Sequence, residues 1–310
     1  MSSNIVTVTL NPSVDVTLWV NALDCDAVNR VERERREAGG KGINVSRFLS
    51  KFGVNNLCIA LAGRANSKEF ADYLSDNRLD YDLVYENGLV RENLTLRYDE
   101  ETVKINRPGV ELSTLETAVI MQYIARKVRP GDIAVFGGSL PRNMPAQDYV
   151  ELIFSVKNAG AAIVIDSDLL TFEQYSRLKP WLIKPNRHEL ASIVPLADDS
   201  VASVRAAAEK LVEAGVENVL VSMGADGLML VNDRGTIAAR SPHVVVKSTV
   251  GAGDSALAGF LIGCVRGNTP EECVALAAAC GTATVTQDGT GLGDAARVQA
   301  LLAQVVVEKL

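Results

Sequence analysis

The 310-residue sequence contains few cysteines, only two histidines and no long apolar run. Its five cysteines have no Cys-x-x-Cys spacing, which disfavours a disulfide framework or a zinc site and predicts reduced thiols in a cytoplasmic protein. No apolar run approaches the ~18 residues of a membrane-spanning helix, and the N-terminal segment lacks the pattern of a signal peptide. We therefore expect neither insertion into a membrane nor secretion.

The sequence also lacks an excess of basic residues. Its 31 lysines and arginines are outnumbered by 38 aspartates and glutamates, which gives a formal net charge of −7. This balance disfavours a general nucleic-acid-binding protein. An anionic small molecule is still compatible with the composition, provided that basic side chains are concentrated around it.

Short apolar runs recur along the chain and alternate with helix-like segments. The runs most typical of strands are residues 5–10, 56–63, 133–138, 161–166 and 218–224. One helix-like segment covers 113–128 and opens with a capping box from Ser113 to Glu116, and another covers 200–214. Strands that are apolar on both faces and alternate with helices predict an α/β fold, with a central, mostly parallel sheet flanked by helices.

Two regions interrupt this alternation. Residues 11–36 and about 88–108 contain shorter, more polar stretches in which apolar side chains alternate with polar ones. The second region is typical of a β-hairpin that turns around Asp99, Glu100 and Glu101. We expect the two regions to form a small β-sheet near the edge of the main sheet, as a lid or an interface.

A glycine-rich segment, residues 250–256, comes directly before a helix-like run. Gly251, Ala252 and Gly253 let backbone N–H groups crowd together, and the N-terminus of a helix adds partial positive charge. Such a segment suits an anion. Asp254 follows, either as the acidic cap of an ordinary helix or as a base beside bound phosphates.

The same segment also permits a function of another class, because it fits the Gly-x-Gly-x-x-Ala pattern of NAD-dependent oxidoreductases. Two acids, Glu271 and Glu272, follow about twenty residues later, as that pattern requires. They come after Thr269 and Pro270, however, which are typical of a helix N-cap and first turn rather than the end of a strand. We therefore disfavour an NAD site.

A second glycine-rich stretch covers residues 38–46. Gly39 and Gly40 allow the backbone to approach a ligand closely, Lys41 adds a positive charge, and Asn44 lies at the head of a helix-like run. The alternative is a glycine turn before a helix, with Lys41 in solvent. The stretch is not a P-loop, because glycine follows Lys41 where that motif needs serine or threonine.

Three loops after predicted strands carry further candidate residues. Ser139 lies in one loop, where ligands of open parallel sheets bind. In another loop Lys184 suits a phosphate, while Asn186 and Glu189 are either oxygen donors for hydrated magnesium or a helix cap with its first-turn acid. The third, residues 222–227, is either a plain hairpin turn or a nucleotide contact.

Taken together, these motifs resemble those of the PfkB carbohydrate kinases of the ribokinase-like superfamily. Residues 38–46 (AGGKGINVS) match the N-terminal signature of that family, and residues 248–254 (STVGAGD) match its C-terminal signature. An Asn-x-x-Glu motif, residues 186–189, lies between them. The resemblance extends from Asn11 to about Gly291 and is strongest to 1-phosphofructokinases, with tagatose-6-phosphate kinases and the minor bacterial 6-phosphofructokinases as close relatives.

The resemblance implies a ribokinase-like α/β fold in a single domain, residues 1–310, with a β lid formed by about 11–36 and 88–108. It also implies ATP and magnesium as cofactors and a homodimer that assembles through the lid. Asp254 is then the expected catalytic base. The N–H groups of residues 251–253 are the expected anion hole for the transferred phosphoryl group.

The resemblance assigns the remaining candidates to ligands. Those implied for the substrate are Asp15, Gly39, Gly40, Lys41, Asn44, Arg91, Asn106 and Ser139. Those implied for the nucleotide are Lys184, Ser222, Gly224, Gly227 and Thr249. Asn186 and Glu189 are implied to organise magnesium through water. Lys41 and Arg91 are the expected ligands of a phosphate that the substrate already carries, with Lys104 and Arg107 as alternatives.

The expected reaction is the ATP-dependent phosphorylation of a phosphorylated ketohexose, namely fructose 1-phosphate to fructose 1,6-bisphosphate. Tagatose 6-phosphate or fructose 6-phosphate is the alternative substrate within the same family. A catalytically silent sugar-phosphate sensor on this fold is a third hypothesis, which the presence of Asp254 disfavours. None of these hypotheses involves nucleic acid or a membrane.

Overall fold

The apolar strands assemble into one large sheet. A computed structural model describes residues 4–99, 101–289 and 291–310, and within them this sheet has ten strands. In spatial order they are β14 (Val306–Lys309), β13 (Gly235–Arg240), β12 (Leu228–Asn232), β11 (Asn218–Ser222), β10 (Leu182–Ile183), β9 (Ala162–Asp166), β8 (Ile133–Gly137), β1 (Ile5–Thr9), β4 (Asn56–Gly63) and β5 (Tyr81–Glu86). Neighbours from β11 to β5 are parallel, whereas β12, β13 and β14 are antiparallel.

Helices cover both faces of this sheet, as the apolar strands predict. They are α1 (Lys41–Lys51), α2 (Ser67–Asp76), α3 (Thr114–Lys127), α4 (Ala146–Asn158), α5 (Phe172–Leu178), α6 (Arg187–Ile193), α7 (Val201–Glu213), α8 (Ala252–Val265), α9 (Pro270–Val285) and α10 (Ala295–Leu302). One core contains Leu152 of α4 and Leu211 of α7. The core on the other face contains Phe48 of α1 and Leu257 of α8. The side chains named for the two cores are all fully buried. The expected mostly parallel sheet flanked by helices is therefore confirmed.

Local capping explains where several helices begin. Ser113 accepts a hydrogen bond from the N–H of Glu116, and the Glu116 carboxylate accepts one from the N–H of Ser113, so the predicted capping box of α3 is present. Thr269 and Glu272 form the same box at the start of α9. Glu272 therefore lies in the first turn of a helix and not at the end of a strand, where an NAD site would need it.

A separate sheet of four strands lies beside the large one. In spatial order it contains β3 (Arg33–Gly39), β2 (Ser13–Trp19), β6 (Arg91–Tyr98) and β7 (Glu101–Asn106). These strands occupy the two regions predicted to form a small sheet, although β3 continues to Gly39, three residues beyond the expected limit. β6 and β7 form the predicted antiparallel hairpin, while Glu100 of its turn lies outside the described residues.

The two faces of the small sheet differ because side chains alternate along each strand. Val14 and Val16 of β2 are buried in a third core with Phe70 and Leu74 of α2. The opposite face of the same strands is polar. The glycine-rich segments and the loops after β1, β8, β9, β10 and β11 all lie at the carboxyl edge of the large sheet. In the part of the chain that is described, no helix has the length and apolar character needed to cross a membrane.

Candidate active site

Asp254 lies in the first turn of α8, at the carboxyl edge of the large sheet. Gly251 is the N-cap of this helix and supplies no side-chain hydrogen bond. The N–H of Ala252 makes only a long bond of 3.4 Å to the carbonyl of Thr249. The first N–H groups of a helix have no acceptor within the helix. The segment Gly251, Ala252 and Gly253 therefore presents donors to an anion, as the sequence suggested.

The Asp254 carboxyl is buried and accepts a hydrogen bond from Asn44. Asn44 Nδ2, in α1, donates a hydrogen bond of 2.8 Å to Asp254 Oδ2. Burial and the nearby charge of Asp166 raise the pKa of Asp254 to about 6, and the positive charges of Lys184 and Lys41 partly oppose this rise. Asp254 is therefore ionised at neutral pH but is a stronger base than an exposed aspartate.

Four charged side chains, Lys41, Asp166, Lys184 and Glu189, form a cluster beside Asp254, which we call the charged cluster. Lys41 Nζ lies 2.7 Å from Asp166 Oδ1 and 3.5 Å from Glu189 Oε1. Lys184 Nζ lies 3.2 Å from Asp166 Oδ2. A Cβ added to Gly253 would lie 3.2 Å from Lys184 Nζ, so the cluster adjoins the start of α8.

Mutual pairing keeps Asp166 and Lys41 ionised. Burial by itself raises the pKa of Asp166, but Lys184 and Lys41 outweigh that effect and hold the pKa below its usual range. Burial by itself lowers the pKa of Lys41, but Asp166 and Glu189 outweigh it and raise the pKa above its ordinary value. An ionised Asp166 and a protonated Lys41 are therefore kept next to the anion-binding segment, where Asp166 and Lys184 are both buried.

Asp166 is the member of the charged cluster that sequence reasoning missed. It is the last residue of β9, and its side chain is only 2% exposed. A carboxylate at the carboxyl end of a buried parallel strand is itself a signal, because ligands of such sheets bind at that edge. The same argument that selected Ser139 and Lys184 could have selected Asp166.

Asn186 and Glu189 form the cap of α6. Asn186 Oδ1 accepts a hydrogen bond of 2.8 Å from the N–H of Glu189, and Glu189 Oε2 accepts one of 2.8 Å from the N–H of Asn186. The capping alternative from the sequence is thus present. It does not use Glu189 Oε1, which points to Lys41.

The predicted nucleotide residues mostly share one cavity of about 380 Å³, which we call the apolar cavity. Ser222, Gly224, Gly227 and Thr249 line it, whereas Lys184 lies in the charged cluster. Residues that the sequence did not single out complete the wall, chiefly small side chains of α9 and the segment around His243: Pro242, His243, Val244, Val246, Ala277, Ala278, Gly281 and Thr282.

A second cavity of about 440 Å³, which we call the polar cavity, lies over the polar face of the small sheet. Of the predicted substrate residues, Asp15 and Asn106 line it. Three basic side chains also line it, namely Arg97, Lys104 and Lys247. Within the described residues, Arg97 and Lys104 have no carboxylate in ion-pair contact, while Lys247 Nζ lies 3.2 Å from Asp288.

The two cavities meet at one loop. Val246 and Thr249 line both of them, and this loop leads directly into the Gly251–Asp254 segment. A ligand in each cavity would therefore approach the other at the start of α8, close to Asp254 and the charged cluster.

Asp15 is held at the edge of the polar cavity by its neighbours on the small sheet. Ser13 Oγ and Asn93 Nδ2 donate hydrogen bonds to Asp15 Oδ1, at 2.7 Å and 3.1 Å. A Cβ on Gly39 would lie 2.2 Å from Asp15 Oδ2, so only glycine leaves room for this carboxylate. Burial raises the pKa of Asp15. Arg91 lies nearby on β6, and its buried Nε has no hydrogen-bond partner among the described residues.

The remaining predicted substrate residues do not form one group. Lys41 and Asn44 line neither cavity, because they contact Asp166 and Asp254 instead. Gly40 is the N-cap of α1, directly before Lys41 in the chain. Ser139 Oγ accepts a hydrogen bond of 3.0 Å from Asn11 at the end of β8. Arg107 lies outside the polar cavity, where its guanidinium pairs with Glu92 at 3.1 Å.

A comparison with family models decides to which family this arrangement belongs. The model described as "pfkB family carbohydrate kinase" matches residues 8–296. The chain is a member of the pfkB family of carbohydrate kinases. The resemblance noted in the sequence is thereby confirmed, and so are the ribokinase-like α/β fold and the assignment as a sugar kinase rather than an oxidoreductase.

Individual relatives cover nearly the whole chain. The 1-phosphofructokinase of Bacillus subtilis is 34% identical over 306 residues, which is 99% of this chain and 100% of that protein. A tagatose-6-phosphate kinase of Staphylococcus epidermidis is 28% identical over 93% of this chain and 94% of its own. Phosphofructokinase-2 of Escherichia coli, solved in complex with potassium, has a TM-score of 0.90 at 28% identity and covers 97% of this chain and 99% of its own.

Proposed function

We propose that this kinase transfers a phosphoryl group from ATP to a hydroxyl of fructose 1-phosphate and so produces fructose 1,6-bisphosphate. The observation that carries the proposal is the meeting of two unlike cavities at the loop before Asp254. One is lined by small apolar side chains and the other by hydrogen-bonding and basic ones. The similarity to 1-phosphofructokinases over the full chain supports the choice of substrate.

ATP fits the apolar cavity. Ala277, Ala278 and Gly281 of α9 provide a flat apolar wall suited to a base, and Ser222 and Gly224 provide polar groups suited to a ribose. A triphosphate that extends from this cavity past Thr249 would reach Lys184 and the N–H groups at the start of α8. Both features attract phosphate oxygens.

Asp254 is proposed as the base that accepts the proton of the sugar hydroxyl. The Asn44 amide orients its Oδ2, and the pKa of about 6 leaves it ionised at neutral pH yet raised toward the range of an efficient base. Phosphoryl transfer depends mainly on positioning and on stabilising the charge of the equatorial oxygens. The N–H groups of residues 251–253 and the ammonium groups of Lys41 and Lys184 are suited to that task.

Magnesium is proposed to accompany ATP, and the charged cluster offers oxygen donors of the type that it prefers. Among the residues that the structure describes, no three histidine, cysteine, aspartate or glutamate side chains group closely enough to hold a metal ion. A magnesium ion would then take most of its ligands from water and from ATP phosphates, as is usual for it. Asp166 and Glu189 are the carboxylates that would hold its water shell, and Asn186 would orient Glu189.

The sugar phosphate is proposed to bind in the polar cavity. Asp15, supported by Asn93, is suited to hold sugar hydroxyls. Arg97, Lys104 and Lys247 supply a local positive charge for the phosphate that the substrate already carries, despite the net negative charge of the chain. Lys41, expected to bind that phosphate, is proposed instead to stabilise the transferred phosphoryl group, because its ammonium lies in the charged cluster.

The experiment that tests the proposal measures ADP release with ATP and magnesium. The candidate acceptors are fructose 1-phosphate, tagatose 6-phosphate, fructose 6-phosphate and unphosphorylated fructose, with Asp254→Asn as the control. We expect strong preference for fructose 1-phosphate and loss of turnover in the control. Preference for tagatose 6-phosphate or fructose 6-phosphate would select the alternative within the family. Binding without turnover in the unmodified protein would select the silent sensor.

We also propose that two copies associate through the small sheet. Leu96, Val103 and Ile105 lie on the face opposite to the polar cavity, and Ile105 is 48% exposed at the edge strand. A second copy would cover this apolar face. Sedimentation should show a dimer that Ile105→Glu disrupts. Leu115→Glu, at a residue 75% exposed on α3, is the matched control and should leave the dimer intact. A monomeric unmodified protein would refute this proposal.

A further inference from the structure

Two cysteines meet at the end of the α8–α9 helix pair that is remote from Asp254. Cys264 is in the last turn of α8 and Cys273 is in the first turn of α9. Their Sγ atoms lie 3.8 Å apart. Gly263 permits this approach, since a Cβ there would lie 2.8 Å from Cys273 Sγ. The local geometry, not a sequence motif, therefore brings these two thiols together.

The pair of thiols lies in the wall of a cavity. Both cysteines line a cavity of about 540 Å³, with Trp181, Phe260 and Asn268 in its wall. Cys264 is half-buried and Cys273 is 2% exposed. The other cysteines do not share this environment, because Cys25 is exposed and Cys58 and Cys280 are buried apart from the cavity.

The two thiols are not equivalent. The Cys264 thiol donates a hydrogen bond to Cys273 Sγ. This donor lowers the pKa of the Cys273 thiol, while burial and the charge of Glu272 act against it. The same hydrogen bond raises the pKa of Cys264. The Cys273 thiol itself lies 3.8 Å from the carbonyl oxygen of Asn268, to which it donates. Because Cys273 is the thiol that accepts a hydrogen bond from its partner, we assign it as the nucleophile and Cys264 as the resolving thiol.

We propose that Cys264 and Cys273 form a reversible disulfide when hydrogen peroxide oxidises the protein. The Cys273 thiolate attacks one peroxide oxygen, so that an S–O bond forms, the O–O bond breaks and hydroxide leaves. Cys264 then attacks the sulfur of the sulfenic acid, forming the S–S bond and releasing the oxygen as water that carries the Cys264 proton. Two thiols lose two electrons to one peroxide, and a thiol reductant reverses the change.

The disulfide would join α8 and α9 at the ends that are remote from Asp254. The opposite ends of these two helices contribute to the candidate active site. α8 begins at the Gly251–Asp254 segment, and α9 lines the apolar cavity with Ala277 and Ala278. Cys264 lies ten residues after Asp254, roughly 15 Å along a helix. We therefore expect the bond to raise thermal stability while leaving turnover within about twofold, because closing a loop restricts the unfolded chain.

The test uses the full chain carrying Cys25→Ser, which removes the exposed thiol and with it cross-links between chains. After treatment with about ten equivalents of hydrogen peroxide, we expect a peptide pair linked through Cys264 and Cys273 and a mass about 2 Da lower. Dithiothreitol should restore the original mass. The apparent Tm should rise by about 5 °C, as a short closed loop in a protein of this size predicts.

Cys264→Ser in the same background is the matched variant, because the serine hydroxyl can still donate a hydrogen bond to Cys273. It should form no cross-link and show no rise in Tm, and dimedone should label Cys273 as a trapped sulfenic acid. The proposal is overturned if iodoacetamide, added after the peroxide treatment, still alkylates both Cys264 and Cys273. It is equally overturned if the cross-link involves Cys58 or Cys280, or if dimedone does not label Cys273 in the Cys264→Ser protein.

Discussion

Replacing Asp254 by asparagine should abolish turnover and at the same time stabilise the fold. The carboxylate is buried next to Asp166, and these surroundings disfavour its charged form. Asparagine has nearly the same shape and can still accept the hydrogen bond from Asn44 through its amide oxygen. The substitution therefore removes the cost of a buried charge without removing its supporting contact, and it also removes the proposed base.

The size of the effect follows from the pKa. Moving the pKa of Asp254 from 3.8 to about 6 corresponds to roughly 3 kcal/mol of lost stability at neutral pH. The new amide N–H₂ is also buried and costs about 1 kcal/mol if it finds no acceptor. We therefore expect Asp254→Asn to raise the free energy of unfolding by about 2 kcal/mol at pH 7.

The pH dependence identifies the cause. Because the folded-state pKa of Asp254 is raised, its contribution to stability falls as pH rises from about 4 and becomes constant above about 6. The advantage of the asparagine variant should therefore vanish near pH 4. Urea unfolding at several pH values measures it, with Asp233→Asn at an exposed turn as the control, expected within about 0.5 kcal/mol of the unmodified protein. An advantage of equal size at every pH would refute this reasoning.

Three further predictions concern the same site. The turnover of the unmodified enzyme should fall about tenfold per pH unit below about pH 6, as Asp254 is protonated. Lys41→Met should lower kcat by about a hundredfold. It should also move the fall of turnover at acid pH (the acid limb of the pH profile) to higher pH, because the positive charge of Lys41 lowers the pKa of Asp254. Lys104→Ala should raise the KM for the sugar phosphate by about tenfold or more with little change in kcat, because it removes one charge from the polar cavity.

Each of these three has a measurement that separates it from a general loss of stability. A pH profile of kcat that stays flat down to pH 4.5 would contradict the assignment of Asp254 as base. An unchanged acid limb in Lys41→Met would show that Lys41 does not act on Asp254. For Lys104, the matched control is Arg107→Ala, since Arg107 pairs with Glu92 outside the polar cavity. Equal effects of the two substitutions on KM would contradict the placement of the phosphate.

Most of the fold could be predicted from local sequence. The apolar run 56–63 forms β4 with the predicted limits, and the segment 200–214 forms α7 from Val201 to Glu213. Such elements are readable because burial on both faces, capping side chains and terminal glycines act within a few residues of one another. The strands β13 and β14, which complete the large sheet, were not predicted, because strand pairing depends on residues far apart in the chain.

The candidate site was only partly predictable. Asp254, Lys184 and part of the wall of the apolar cavity, namely Ser222, Gly224, Gly227 and Thr249, stand in motifs whose glycines and charges are visible in the sequence. Arg97 and Lys247 are ordinary basic residues in sequence, and only the alternation of side chains on the small sheet and the path of the 246–250 loop bring them to one cavity. Their roles as ligands of the sugar phosphate remain predictions.

The family, the mostly parallel sheet and the segment that presents Asp254 at the start of a helix can all be predicted from local sequence, because signatures and periodicity are local properties. Which charges meet depends on how the chain folds in three dimensions. Lys41 pairs with Asp166, 125 residues away, and Asn44 holds Asp254, 210 residues away. These contacts follow from the parallel sheet, which brings the carboxyl ends of distant strands to one edge, where burial then requires each charge to find a partner.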